Sequence, residues 1–206
     1  MVSTLSRCVS VVALFAALCG APSGLSGQPA AEPLEVIRAS NTRIAQLMRP
    51  GHRLTPAEEG EILQIVERTS HFPTIAREVI GRPWESVPEP QREAFIAAFS
   101  RLIGLTSIEK MGRYRADRFE YAGQQVDGDR GAVRTVAFYQ GKRVSLDYVM
   151  ARIDGAWRII DYSMNGVPSS RNYQKQFARI LEKQDFAGLL ARLDRRLASM
   201  KKPAGR

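Results

Sequence analysis

The stretch that decides the fold runs from Phe119 to Met164, FEYAGQQVDGDRGAVRTVAFYQGKRVSLDYVMARIDGAWRIIDYSM. Its apolar residues alternate with polar ones, the period of a strand with one covered face. Three breaks divide it: Asp127-Gly128-Asp129, Gln140-Gly141 and Asp154-Gly155. Each is a short glycine-containing turn of the kind that joins adjacent antiparallel strands. The reading is therefore four strands, Phe119–Val126, Gly131–Tyr139, Arg143–Ile153 and Ala156–Met164, paired in order as a meander.

Helical periodicity surrounds this core. Leu34–Met48 places Val36, Ile37, Ile44, Leu47 and Met48 along one side and stops at Pro50-Gly51. Thr55-Pro56-Ala57-Glu58 is a capping box with proline at the first helical position. Ile62, Ile65, Val66 and Thr69 follow on one face, and a short helix with Ile75, Val79 and Ile80 ends at Gly81. Glu89-Pro90 opens a long helix with Phe95, Phe99 and Leu102 one and two turns apart, beside Ala98 and Ile103. After the strands come a helix with Tyr173, Phe177, Ile180 and Leu181, and another with Phe186, Leu189, Leu190, Leu193 and Leu197. Helices, then a meander, then helices is an α+β pattern: a four-stranded antiparallel sheet covered on one face by N- and C-terminal helices. Such a roll, of the NTF2-like or cystatin-like kind, encloses an apolar pocket.

The N-terminus reads as an address. Arg7 precedes the apolar run Cys8–Ala21, and small residues follow it. That run has the length of a signal-peptide core and is short of the ~20 residues of a membrane span. The expected organisation is a signal peptide over 1–26, a disordered leader over 27–33, one domain over 34–200 and a basic tail over 201–206, with the chain exported to the periplasm. Both cysteines, Cys8 and Cys19, fall inside the signal peptide, so the processed chain has no disulfide to form. Its about 180 remaining residues must be held by an apolar core. The chain carries 30 Lys and Arg against 21 Asp and Glu, a net charge of +9. Export speaks against nucleic acid as the partner of that charge and leaves an anionic membrane surface, an acidic partner or a plain solvated face.

Several short segments, in a fixed order, resemble the MlaC (toluene-tolerance) family. They are Trp157-Arg158-Ile159-Ile160-Asp161, Gly166-Val167, and Arg171-Asn172-Tyr173-Gln174-Lys175-Gln176-Phe177. Upstream lie Gly81-Arg82-Pro83-Trp84 and Gln91-Arg92-Glu93-Ala94-Phe95, and downstream Asp185-Phe186-Ala187-Gly188-Leu189. The chain departs from the family pattern at Asn165, Pro168 and Gly104–Ile108, where the family usually has Glu, Ser and an Arg-Thr-Tyr segment. The resemblance implies a periplasmic carrier, a monomer without cofactor. It would move phospholipid between an outer-membrane lipoprotein complex and an inner-membrane ABC transporter with an MCE ring. Some relatives sit with hopanoid metabolism, so a hopanoid-type lipid is the alternative cargo.

A lipid carrier needs an apolar wall and no catalytic group. Burying about thirty methylenes at ~0.8 kcal/mol each is worth roughly 24 kcal/mol against water, close to what a bilayer offers. The expected lipid-binding wall is Leu146, Tyr148 and Met150 on one strand and Ile160, Tyr162 and Met164 on the next, joined by Val136 and Phe138. Phe95, Phe99, Leu102 and Ile103 would face them from the long helix. Each of these side chains serves equally well as ordinary core. The turn Asn165-Gly166-Val167-Pro168 is either a hinge at the pocket mouth or a rigid strand-to-helix connection.

Two rival readings compete with the carrier. An NTF2-like enzyme would use Asp147, Asp161 and Tyr148 for acid–base chemistry, yet Asp147 and Tyr148 are adjacent on a strand and point to opposite faces. Asp161 also suits a structural role, pairing with an arginine or tying the following turn. The second rival is a module that holds a peptide in its sheet groove, with Arg192, Arg195, Arg196, Lys201 and Lys202 facing an acidic partner. His52 and His71 have no carboxylate spacing around them, and no metalloprotease, nucleophile-elbow or P-loop motif occurs. The expectation is no catalytic residue and no metal.

Overall fold

A computed structural model describes residues 32–49, 51–113 and 116–201. The expected signal peptide, all of the leader but Glu32 and Pro33, and all of the basic tail but Lys201 lie outside them. Three of the meander's turns place two consecutive residues at positive φ: Gln140-Gly141, Asp154-Gly155 and Asn165-Gly166, with φ between 47° and 76°. Both central residues of a type I′ turn need that conformation, and its twist matches that of the strands it joins. The turns connect β1 (Arg118–Asp127), β2 (Arg130–Tyr139), β3 (Lys142–Ile153), β4 (Ala156–Met164) and β5 (Val167–Pro168). Their spatial order is their sequence order, and each pair is antiparallel. The sheet is open and has five strands where the sequence indicates four. The fifth is two residues long, too short to show a period, and one of the two is proline.

Two bulges set the phase of the side chains. One lies between Tyr121 and Gly123 on β1. The other is on β4, where Asp161 pairs with Val149 but Ile159 already pairs with Met150, leaving Ile160 as the extra residue. On β2, Gly131, Val133, Thr135 and Ala137 are buried, whereas Ala132 and Arg134 between them are exposed. Helices therefore cover one face only.

The helices are α1 (Pro33–Leu47), α2 (Pro56–Thr69), α3 (Phe72–Ile80), α4 (Glu89–Arg113), α5 (Ser169–Leu181) and α6 (Phe186–Lys201), with a 3-10 turn at Arg82–Ser86. Pro33, at the end of the expected leader, is buried at the first position of α1. The capping box forms as read. Thr55 Oγ1 accepts from the Glu58 amide, and the Glu58 carboxylate accepts from the Thr55 amide at 2.8 Å.

Buried side chains gather in three clusters. Ile37 of α1 packs on Val133, Met150 and Trp157 of the sheet. Leu47 and Met48 meet Ile62 and Ile65 of α2, with Ile108 and Met111 of α4 alongside. The largest is helical: Phe72, Ala76 and Val79 of α3, Phe95 and Phe99 of α4, Phe177 of α5, and Leu189, Leu193 and Leu197 of α6. Its centre is aromatic. Phe95 stacks on Phe99 at 5.4 Å, and Phe177 meets both edge-on at 5.5 and 5.6 Å, arrangements that suit the ring quadrupoles. On the far side of α4, a Cβ at Gly104 would collide with Leu63, so glycine there allows α2 to approach closely.

Candidate functional site

Asp161 fixes the start of α5. Its carboxylate accepts hydrogen bonds from the Ser170 amide at 3.1 Å and the Ser170 hydroxyl at 2.7 Å, besides the Tyr162 amide at 2.8 Å. A helix N-terminus has unpaired amides, so an anion there both satisfies a donor and complements the helix dipole. Ser170 is buried, which makes the tie more than a surface contact. The turn before it is held as well. Asn165 donates its amide to the Ser145 carbonyl at 2.9 Å and accepts from the Ser145 amide through Oδ1 at 3.0 Å. A type I′ turn pinned in this way is a rigid connection, so the hinge alternative finds no support in its geometry.

Held at this angle, α5 forms one wall of a cleft of about 470 Å³. α4 and α6 form the others, and Tyr162 of β4 reaches it from the covered face of the sheet. Leu102, Phe177, Ile180, Leu189 and Leu193 supply its apolar lining. Asn172, Gln176, Thr106 and Ser169 add neutral polar groups, and Lys110, Arg192 and Arg196 supply positive charge. Among the described residues, no carboxylate lines it. The Tyr173 hydroxyl is pushed up to about 12, first by burial and then by neighbouring Tyr162, so it stays a neutral phenol. A second hollow, about 340 Å³, lies between Gln64, Arg68, His71, Asp154 and Arg158 and is mainly polar.

The structure divides the expected wall. Leu102 and Tyr162 line the cleft. Phe95 and Phe99 are fully buried in the helical cluster, with Ile103 packed against it. That cluster contains no strand residue, so these side chains pack among helices and not on Leu146, Tyr148 and Met150. Met150 is buried under α1, and Tyr148 packs beside it with its hydroxyl pushed up to about 12 by burial. Val136 and Phe138 are on the wrong face. Register pairs Tyr148 with Val133 and Leu146 with Thr135, while Val136 opposes Ser145 and Phe138 opposes Arg143. Residues opposite one another share a face, so Val136 and Phe138 look away from the helices. Phe138 there lies under the Arg118 guanidinium, 3.7 Å from its centroid. Ile160 is the bulge residue, without a partner on β3, and is buried. Tyr162 and Met164 keep their place, opposite Tyr148 and Leu146. Met164 in turn pairs with Val167, and both are exposed, at 41% and 50%. An apolar strip thus leads from Tyr162 out to solvent.

Sequence reasoning missed most of the cleft. The α5 and α6 stripes were legible, but which stripe borders a cavity depends on how helices pack. The spacing of Arg192 and Arg196, one turn apart beside Leu189 and Leu193, was the available signal.

The groups considered for acid–base chemistry do not converge. Asp147 accepts from the Ser145 hydroxyl at 3.2 Å on the face opposite Tyr148, and Asp161 is taken up at the start of α5. Both histidines serve helix starts. His52 Nε2 lies 2.8 Å from Glu58, and His71 Nδ1 accepts from the Thr74 amide at 3.3 Å. Among the described residues no group of His, Cys, Asp and Glu has the arrangement of a metal site.

An open antiparallel meander with helices over one face, and a cleft at the margin of that cover, defines an α+β helix-covered sheet protein. Within this class the chain belongs to the MlaC family, whose model, described as MlaC protein, matches residues 41–195. Among solved structures, the chain is similar to a phospholipid-binding protein from Ralstonia solanacearum, determined in complex with a phospholipid. The TM-score is 0.69 at 21% identity, covering 84% of this chain and 100% of that one. No curated protein matches the sequence.

Proposed function

We propose that this protein is a periplasmic carrier that binds a phospholipid and passes it between an outer-membrane lipoprotein complex and an inner-membrane MCE/ABC transporter. The observation that carries this reading is the cleft itself, lined by apolar, neutral polar and cationic side chains, beside an exposed apolar strip. Membership of the MlaC family and the fold shared with a phospholipid-bound protein support it. A methylene is about as large as the ~30 Å³ that water occupies in the liquid. The 470 Å³ cleft then takes one acyl chain. The second chain of a diacyl lipid would lie along Tyr162, Met164 and Val167, which are already apolar and partly open. Export would follow from the Cys8–Ala21 run, which is too short to remain as an anchor.

The test is organic extraction of the protein isolated from a periplasmic fraction, with sequencing of its N-terminus. One diacyl lipid per chain and a start between Pro22 and Glu32 are expected. A triterpenoid extract would replace the cargo with a hopanoid-type lipid. A lipid-free chain that retains Met1 in the cytoplasm would contradict the proposal, and a lipid-free periplasmic chain would favour the peptide-binding module.

A further inference from the structure

We propose that Lys110, Arg192 and Arg196 form a head-group site that selects anionic phospholipids over zwitterionic ones. This rests on the carrier reading and goes beyond it by naming the lipid class. The three cations come from two helices, Lys110 from α4 and Arg192 and Arg196 from α6, and all line the same cleft. No Asp or Glu lines it, and none of the three forms an ion pair among the described residues. Arg192 and Arg196 stand one turn apart on α6, a spacing at which like charges repel. Apolar side chains such as Leu102 and Ile180 beside unopposed positive charge complement a lipid with an acyl chain and a net negative head. A zwitterionic ethanolamine head would bring its own ammonium among three cations with no carboxylate to receive it. Arg195, on the same helix, is exposed and lies off the cleft, so total surface charge and cleft charge can be separated.

The experiment uses the processed protein and vesicles holding equal amounts of phosphatidylglycerol and phosphatidylethanolamine. Protein is incubated, separated from the vesicles and extracted, and the ratio of the two lipids is read by mass spectrometry. Because both lipids share each vesicle, general attraction of a basic protein to an anionic surface cancels from the ratio. A basic side chain close to an anionic head supplies roughly a fivefold preference, so the wild-type extract should favour phosphatidylglycerol by at least about that factor. Arg192→Gln/Arg196→Gln should bring the ratio near one through loss of bound phosphatidylglycerol, and Arg195→Gln should behave as wild type. Lys110→Gln, on a different helix, gives an independent reading and should also lower the ratio. Equal lipids in the wild-type extract, or an Arg195→Gln shift as large as that of the cleft variants, would overturn the head-group assignment while leaving the carrier reading intact. No uptake of either lipid would overturn both.

Discussion

Replacing Asp161 tests how the cleft is held open. In Asp161→Ala the Ser170 amide and hydroxyl lose a carboxylate at 3.1 and 2.7 Å. Removing a side-chain acceptor at a helix start costs about 1 kcal/mol. Leaving a second, buried donor without a partner adds about 1 kcal/mol or more, giving a total near 2 kcal/mol. For a chain of this size that lowers the melting temperature by roughly 4–8 °C. Asp161→Asn keeps an acceptor for the amide and offers an N–H to the Ser170 oxygen, so its loss should stay below about 1 kcal/mol. Urea unfolding of the three proteins, read by circular dichroism, gives both differences. A further measurement separates structure from site: Asp161→Ala should also weaken lipid retention, since α5 carries Asn172, Tyr173 and Gln176 of the cleft. Equal stability of the alanine and wild-type proteins would refute the tie between Asp161 and α5.

Other perturbations follow from the same packing. Phe99→Ala empties the centre of the aromatic cluster and should cost about 3–5 kcal/mol in urea unfolding. Glu58 is held at about 2, below the ordinary 4.5, chiefly by its bonds to Thr55 and His52. A depressed folded value gives stability that is present above the unfolded value and lost as pH falls towards 2. Melting temperature should therefore fall less steeply from pH 5 to pH 2 in Glu58→Gln than in wild type; parallel curves would contradict this. Gly166→Val forces a β-branched residue to a φ of 76° and should cost about 1–2 kcal/mol. Its lipid transfer rate, measured on folded protein, should match wild type, and slowed transfer would restore the hinge.

Much of the fold was legible because its signals are local. Glycine after a residue that tolerates positive φ marked the hairpins, and Thr55 with Glu58 marked the start of α2. Asp161 was read as pairing with an arginine or tying the following turn; it ties the start of α5, just beyond that turn. The cleft was harder to see because it depends on phase and on helix packing. One extra residue, Ile160, breaks the row that Tyr162 and Met164 continue, and alternation alone does not locate a bulge. Val136 and Phe138 were misplaced because register across β2 and β3 is set by the Gln140-Gly141 turn, which fixes which alternate residues share a face. Phe95 and Phe99 were sound as core residues. Their partners turned out to be helices, and a helical stripe does not state whether it meets a sheet or another helix.

The central claim is that this chain carries lipid, and native mass spectrometry of the processed protein isolated from cells tests it most directly. The account predicts a principal species heavier than the chain by the mass of one phospholipid, released intact on activation. A spectrum showing only the bare chain, from protein that also fails to bind a fluorescent phospholipid, would contradict it.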